Sequence, residues 1–246
     1  MASDDAPADR DAIVDRIRSL VASATFEVTL SVPSAVMPEL GATLEDAVDR
    51  GVLVLVLVWE SPDEGVPETD PKLSERSTVA RRSPSIAPVF CCIDDERGLV
   101  GDAAALDDDS PDHTVGMFDF HDIASGLYRD FLTNFWMVST EVHAVDCPSL
   151  PRTYDGIRHV VTHIALCLRA DVALRCRVEG RDPRTDTERI VEGRVLNVHQ
   201  RMVYPASASL PVENSFLVDA DGRKWVGGAY AFLEDIAADT ITLCSA

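Results

Sequence analysis

The apolar residues in the first quarter of the chain follow helical spacing, then strand spacing, then the same two again. A helical stripe precedes an alternating strand at Phe26–Val32 and a second amphipathic helix over Pro38–Arg50, which Gly51 stops. The run Val52–Val58 contains only valine and leucine, which is typical of a strand covered on both faces. This order predicts a parallel βαβ unit with a right-handed crossover. The first stripe consists of Ile13, Val14, Ile17, Leu20 and Val21.

The pattern breaks over Ser61–Ser85, where four prolines lie among charged residues, and this segment is predicted to be a long surface loop. Strand-like segments resume at Val89–Ile93, Leu99–Val100 and Thr114–Phe118. An amphipathic helix follows, with Asp119 as its expected N-cap. Its apolar face comprises Ile123, Leu127, Tyr128, Phe131, Leu132, Phe135 and Trp136.

Two prolines within Asp146–Thr153 indicate a domain junction, so we expect one domain over residues 1–148 and a second over 149–246. A helix is predicted over Ile157–Leu168, after which the apolar period changes to two. Two of the strands that follow carry the same phrase, Val-Glu-Gly-Arg, and the Asp221–Gly222 pair predicts a hairpin turn. The fold class is therefore α/β, with a parallel βαβ core followed by a small β-rich domain with one helix. Its strands are predicted at Val172–Arg181, Glu188–His199, Phe216–Val218, Lys224–Gly227 and Thr240–Cys244.

Acidic residues dominate the charge of the chain. Asp and Glu number 42 against 22 Lys and Arg, which gives a net charge of −20, and Asp outnumbers Glu by 28 to 14. The only lysines are Lys72 and Lys224. Molar salt shortens the Debye length to roughly 3 Å and screens this self-repulsion. Because the acidic residues are spread along the whole chain, the composition predicts a protein of a halophilic archaeon. The alternative is a specialised acidic protein that binds cations or basic partners.

Nucleic-acid binding requires clustered basic residues, and the nearest candidates are Arg76, Arg81 and Arg82 in the polar stretch. This cluster is weak, so no direct DNA binding by the chain is expected. No signal peptide is recognisable, and the most apolar run, Val52–Trp59, is far shorter than the roughly 20 residues that a membrane helix requires. We therefore expect a cytoplasmic protein with no membrane contact.

The six cysteines show no CxxC spacing and no compact disulfide framework, and Cys167 and Cys176 are predicted to be buried thiols. His159 and His163 are four residues apart on a predicted helix, as zinc ligands can be, but no third ligand is identifiable. They are expected on a solvated face, so no metal and no cofactor are predicted. Motifs for nucleotide binding and for an esterase nucleophile are also absent.

The segment Asn214–Asp235 is the most informative for function. A predicted hairpin leads into Gly227–Gly228, and Glu234 follows shortly afterwards. Adjacent glycines allow a ligand to approach the backbone, a carboxylate accepts hydrogen bonds from vicinal hydroxyls, and Asn214 can both donate and accept. Trp225 or Tyr230 can stack on the apolar face of a sugar. The pattern indicates a polyol site, and the alternative is a tight turn with a solvated acidic pair.

Two stretches carry a family resemblance. Leu44–Val52 and the apolar strand after it resemble the phospholipase-D-like domain of TrmB-type archaeal transcriptional regulators. The stretch from the Val-Glu-Gly-Arg strands to Phe232–Asp235 is similar to the TrmB sugar-binding domain. This resemblance implies a mono- or disaccharide effector. The positions that match the ligand-contacting motif of the family are Ser139, Asn214, Gly228 and Glu234.

The sequence also departs from the relatives in two ways. TrmB regulators begin with a winged helix-turn-helix, whereas a short acidic lead precedes the first helix here. Phospholipase D enzymes need the HxKxxxxD motif, and neither Lys72 nor Lys224 follows a histidine by two residues. The resemblance therefore implies a non-enzymatic sugar sensor with no catalytic residues, controlling genes of sugar metabolism or transport. The alternatives are a dimerisation module that forms a homodimer or modulates full-length regulators, and a degenerate hydrolase.

Overall fold

The computed structural model describes residues 9–60, 72–107, 113–210 and 213–246. The chain divides into a first unit, Met1–Ala144, and a second unit, Val145–Ala246. None of the helices in these described ranges combines the length and the apolar character that crossing a bilayer requires.

The first unit contains five stretches of helix and seven strands among its described residues. In chain order these are α1 (Arg10–Ser23), β1 (Glu27–Pro33), α2 (Met37–Asp49), β2 (Leu53–Trp59), α3 (Leu73–Arg76), β3 (Val79–Arg82), β4 (Val89–Ile93), β5 (Arg97–Gly101), β6 (Val115–Asp119), α4 (His121–Phe131), a π-helical turn (Leu132–Trp136) and β7 (Thr140–Ala144). Short 3-10 turns occupy Ser34–Val36 and Ala103–Leu106.

The strands of the first unit form one sheet in the order β6-β5-β4-β1-β2-β3-β7. β2 pairs in parallel with β1 and β3, and the remaining pairings are antiparallel. Every residue of β1 and β2 is buried, as the continuous apolar run in β2 predicts. The predicted parallel βαβ core is therefore confirmed, with α2 as its connecting helix and α1 packed against α2.

The predicted surface loop over Ser61–Ser85 is wrong for its second half. α3 and β3 lie there, and β3 pairs between β2 and the edge strand β7; residues 61–71 lie outside the described ranges. The strand was missed because it is only four residues long and two of its residues are arginines. Arg81 is nonetheless buried, and its Nη1 donates to the carbonyl oxygens of Trp136 (3.0 Å) and Ser139 (3.4 Å).

The weak basic cluster predicted from the sequence is an internal feature of the first unit. Arg76 is buried and its Nε donates to Glu45 Oε1 at 3.0 Å, while Arg82 Nη1 lies 3.3 Å from Glu60 Oε1. The guanidinium of Arg81 also lies over the ring of Trp136. These arginines are engaged with protein groups, which agrees with the expectation that they do not form a phosphate-binding patch.

The helix predicted after Asp119 is present, but its start differs from the prediction. Phe120 is the N-cap residue of α4 and no side chain caps the helix, while Asp119 ends β6. The α4 residues Tyr128 and Phe131 are buried, and Phe131 stacks on Phe90 of the sheet. The predicted apolar face is thus only partly buried, since Leu132 and Trp136 are also buried whereas Ile123 is 52% exposed, and the predicted capping residue is wrong.

The second unit contains one helix and six strands among its described residues. These are β8 (Arg152–Tyr154), α5 (Ile157–Arg169), β9 (Leu174–Arg181), β10 (Glu188–His199), β11 (Ser215–Ala220), β12 (Gly222–Gly227) and β13 (Ile236–Ser245). They pair in the order β12-β11-β10-β9-β13-β8, and an additional parallel pairing joins β12 to β13. This pairing closes five strands into a barrel-like ring, and α5 packs against β8, β9, β10 and β11. The predicted fold class is confirmed.

The repeated phrase Val-Glu-Gly-Arg has a structural explanation, because both of its glycines lie where a neighbouring backbone passes closely. A Cβ built on Gly180 would lie 2.2 Å from the carbonyl oxygen of Ala237, and one on Gly193 would lie 2.3 Å from that of Asp219. The pairing register shifts near both sites, as is common where a strand bends in a barrel. The two glycines therefore allow β9 and β10 to approach their neighbours.

Replacing Gly180 with alanine is expected to lower the free energy of unfolding by roughly 2–3 kcal/mol, because the added methyl forces β9 and β13 apart. Urea unfolding in molar KCl measures the change. The matched control is Gly156→Ala in the same unit, where a Cβ meets nothing within 4 Å. That variant is expected to stay within about 0.5 kcal/mol of the unmodified chain. Equal stabilities for the two variants would contradict the close approach.

The prediction that Cys167 is a buried thiol is wrong, because Cys167 forms a disulfide with Cys147. The bond joins the segment before β8 to the last turn of α5. The remaining four cysteines, Cys91, Cys92, Cys176 and Cys244, are thiols. The pairing was missed because the two residues are 20 positions apart and neither lies in a recognisable motif. Cys176 is buried as predicted, and burial raises the pKa of its thiol to about 12.

Candidate functional site

The hairpin predicted around Asp221–Gly222 brings together two of the predicted ligand contacts. Gly222 adopts a φ of +90°, a conformation that glycine accommodates readily, and it starts β12 directly after β11. The pairing of β11 with β12 runs from Ala220 and Gly222 to Phe216 and Val226, and Asn214 and Gly228 each lie two residues beyond its last pair. Both residues are half-buried. The hairpin therefore carries both residues at its open end.

Glu234 lies at the same end of the sheet. A Cβ built on Gly227 would lie 2.9 Å from Cδ of Glu234, so the carboxyl group rests over the face of Gly227 that has no side chain. Gly227 pairs with Ala237 of β13, which begins two residues after Glu234. Of the four predicted contacts, Gly228 and Glu234 thus lie in the segment between β12 and β13, and Asn214 directly precedes β11 of the same unit.

The space beside Gly227 and Gly228 is filled by the protein itself. The sequence suggested that Gly227 and Gly228 open space for a ligand, but protein atoms occupy the positions of both missing side chains. Ala231 and Glu234 lie against Gly227, and Ile157 at the start of α5 lies 2.8 Å from a Cβ built on Gly228. The two glycines are thus required by the packing of the second unit, and a ligand can use only their backbone groups.

The loop between β12 and β13 is held by backbone hydrogen bonds. The amide of Ala231 donates to the carbonyl of Gly228 at 2.8 Å, and Arg181 Nη2 donates to the carbonyl of Ala229 at 3.0 Å. Asp235 closes the loop, because its amide donates to the Trp225 carbonyl and its carboxylate accepts from the Trp225 amide, both at 2.9 Å. Asp235 therefore fixes the loop, and the neighbouring Glu234 is the acidic residue left for ligand binding.

An aromatic and acidic cluster lies beside this loop and was not singled out from the sequence. The ring of His199 stacks against Trp225 with a centroid separation of 4.3 Å, and His199 Nδ1 lies 2.6 Å from Glu213 Oε1. One face of Trp225 is thus covered by protein. His199 ends β10 and Glu213 precedes Asn214, so only the strand pairing brings them together. No local motif signals this arrangement.

Ser139, the fourth predicted contact, belongs to the first unit. It is buried, and its Oγ donates to the carbonyl of Phe135 at 2.5 Å. Its own carbonyl accepts from buried Arg81. The serine hydroxyl keeps its acceptor lone pairs for a ligand donor, but its proton is used within the turn after the π-helical segment.

The expectation that His159 and His163 lie on a solvated face is wrong. His163 is buried, its Nδ1 lies 2.9 Å from the hydroxyl of Tyr154, and the two histidine rings are 4.5 Å apart edge to face. The misassignment arose because β8, which carries Tyr154, covers this side of α5. No group of three or more residues that could hold a metal occurs in the ranges that the structure describes.

Burial sets the protonation of this histidine pair. It lowers the pKa of His159 to about 3, with the charge of Arg152 as the second cause. It lowers the pKa of His163 to about 2, with His159 and then Arg152 as further causes. Burial also raises the pKa of Tyr154 to about 12. The cluster is therefore neutral at neutral pH, with Tyr154 as a hydroxyl donor, which suits a structural hydrogen bond.

The sequence matches two family descriptions that follow one another along the chain. "Transcriptional regulator TrmB, EBD N-terminal subdomain" matches residues 8–143, and "TrmB/TrmBL1, EBD C-terminal subdomain" matches residues 149–246. The α/β unit and the barrel-like unit of this chain therefore correspond to the two subdomains of the effector-binding module of a transcriptional regulator. This chain belongs to the TrmB family, which confirms the resemblance found in its sequence.

Several solved structures share part of the fold. Nuc, a phospholipase D family member from Salmonella typhimurium, is 15% identical with a TM-score of 0.43, over 52% of this chain and 89% of that chain. NucT from Helicobacter pylori is 13% identical with a TM-score of 0.41, over 54% of this chain and 92% of that chain. No activity is inferred from similarities at this level.

A TrmB relative is also among the similar structures. TrmBL2, described as an archaeal chromatin protein with a novel mode of DNA binding, is 18% identical with a TM-score of 0.43. The similarity covers 54% of this chain and 50% of TrmBL2, so half of that protein has no counterpart in the match. No curated protein matches the sequence significantly.

Proposed function

We propose that this chain binds a saccharide as the effector of a TrmB-type regulator and performs no chemistry on it. The observation that carries the proposal is the Glu234 carboxyl group resting over Gly227, next to Gly228 and at the end of the hairpin from which Asn214 extends. Membership of the TrmB family supports the sensing role. Ser139 of the first unit is a fourth proposed contact, on the strength of the sequence resemblance.

The chemistry of these groups suits a polyol. A carboxylate has about four acceptor positions and can receive hydrogen bonds from two neighbouring hydroxyls, while an amide side chain both donates and accepts. The backbone groups of Gly228 add a further donor and acceptor. Asp235 is bonded to Trp225 within the loop, so of the Glu234–Asp235 pair only the Glu234 carboxylate is available to a ligand. A single carboxylate binds hydroxyls but lacks the partner that glycoside hydrolysis needs.

The proposed physiological setting follows from the composition. A net charge of −20 with two lysines suits the cytoplasm of a halophilic archaeon, where molar salt screens the acidic surface. Saccharide binding would shift the populations of effector-bound and effector-free states, and a DNA-binding segment or partner would read that shift. The genes controlled in this way would be those of sugar metabolism or transport.

Replacing Glu234 with glutamine is expected to weaken saccharide binding by roughly 10- to 100-fold, since a hydrogen bond to a charged group contributes about 1.5–3 kcal/mol. Isothermal titration calorimetry in molar KCl measures the affinity for maltose, trehalose, sucrose and glucose. Glu188→Gln is the matched control, because Glu188 is exposed at the start of β10. Equal affinities of the Glu234 variant and the unmodified chain would remove Glu234 from the site.

A further inference from the structure

Three large apolar side chains project from the loop between β12 and β13. Tyr230 is 81% exposed, Phe232 is 75% exposed and Leu233 is 77% exposed. In a chain of net charge −20 such a concentration of exposed apolar surface is unusual, and patches of this kind commonly mark binding sites. These three side chains are not among the proposed polar contacts Ser139, Asn214, Gly228 and Glu234.

The loop that carries these side chains is fixed at both ends. The Gly228–Ala231 turn, the bond from Arg181 to Ala229 and the double pairing of Asp235 with Trp225 hold its backbone. The exposure of the apolar side chains therefore does not arise from a loosely held segment. Because the backbone of the loop is already held, a ligand that binds there loses little free energy to ordering it.

The position of the loop indicates what covers it. The loop runs from Gly228 to Asp235, and along the chain Tyr230 and Phe232 lie between Gly228 and Glu234, two of the proposed saccharide contacts. A pyranose ring has polar hydroxyl edges and an apolar face of C–H groups. The carboxylate of Glu234 suits the hydroxyl edge, and an aromatic ring beside it suits the C–H face.

We infer that Tyr230 and Phe232 cover the apolar face of a pyranose whose hydroxyls are bound by Glu234 and Asn214. This inference rests on the proposed function and narrows its ligand class to cyclic sugars with a continuous C–H face, such as glucopyranosides. Open-chain polyols of equal hydroxyl number lack that face and bind more weakly. Trp225 is the less suitable platform, because His199 already covers one face of its ring.

The test compares ligands and variants in calorimetric titrations of the full chain in molar KCl. Glucose is titrated against sorbitol, its open-chain reduced counterpart, and maltose is titrated as a second pyranoside. Tyr230→Ala combined with Phe232→Ala is expected to weaken binding of the cyclic sugars at least 10-fold and to abolish the preference over sorbitol. Tyr230→Phe, which keeps the ring, is expected to bind within about twofold of the unmodified chain. Ile190→Ala is the control, because Ile190 is an apolar residue of the second unit that lies outside the loop and is 63% exposed.

Each other outcome has a distinct meaning. If the unmodified chain binds no saccharide, the proposed function and this inference both fall. If it binds saccharides and the double variant retains both affinity and preference, the inference alone is overturned. Sedimentation tests whether a second copy of the chain occupies the loop instead. If the unmodified chain is a dimer, the double variant is a monomer and the sugar affinity is unchanged, the loop is a dimer contact and the inference is overturned. Circular dichroism confirms that each variant is folded.

Discussion

Acidification from pH 7 to pH 5 is expected to lower the free energy of unfolding of the second unit by up to about 4 kcal/mol, at most about 2 kcal/mol each for the buried His163 and the half-buried His159. His159 and His163 have folded-state pKa values of about 3 and 2, lowered chiefly by burial, against about 6.5 in the unfolded chain. The unfolded state therefore binds protons in this range while the folded state does not. The stabilisation is fully present above pH 6.5 and is lost as the pH falls towards the folded pKa values.

Urea titrations at constant molar KCl measure this dependence, and the pH range ends at 5 because most carboxylates titrate below that value. The double variant His159→Gln and His163→Gln is the control, since it removes both groups while the glutamine at 163 can still bond to Tyr154. Its unfolding free energy is expected to change little over the same range. A loss of less than about 1 kcal/mol in the unmodified chain would show that the pair is solvated.

Removing the disulfide is the second change with a large expected effect. Cys147→Ser opens a bond that closes 20 residues of chain, and the expected loss in unfolding free energy is about 3 kcal/mol. Reduction of the unmodified chain by a dithiol is expected to produce the same loss. Thermal unfolding followed by circular dichroism measures both effects. Cys244→Ser is the control, because Cys244 is a thiol in the same unit.

Thiol titration of the unreduced, denatured chain gives an independent check of the same bond. Four reactive thiols are expected out of six cysteines, since Cys147 and Cys167 are paired. Six thiols, together with an unchanged unfolding temperature for Cys147→Ser, would contradict the bond. Cytosolic proteins seldom keep disulfides, so a confirmed bond would count against the proposed cytoplasmic setting.

The sequence predicted the fold correctly where the burial of each residue follows the local pattern of apolar and polar residues. β2 is apolar at every position and lies between two other strands, and Asp221–Gly222 turns a hairpin as its residue types require. β3 was missed because Arg81 is buried against carbonyl groups contributed by residues more than fifty positions away. A local pattern cannot show which distant groups will compensate a buried charge.

The candidate site shows the same division. The hairpin and its glycine pair were evident in the sequence, whereas the positions of His199 and Glu213 beside Trp225 depend on pairing between β10 and β11. The buried state of His163 likewise depends on Tyr154 of β8, whose pairing with β13 links opposite ends of the unit. Long-range strand pairing therefore decides which polar residues meet.

The most direct test of the central claim is calorimetric titration of the full chain in molar KCl with glucose, maltose, trehalose and sucrose, each followed by the same titration of Glu234→Gln. The sensing account predicts saturable binding of at least one sugar, weakened in the variant, with no hydrolysis products after the titration. Absence of binding by all four sugars, or release of free monosaccharide from a disaccharide, would contradict a non-enzymatic saccharide sensor.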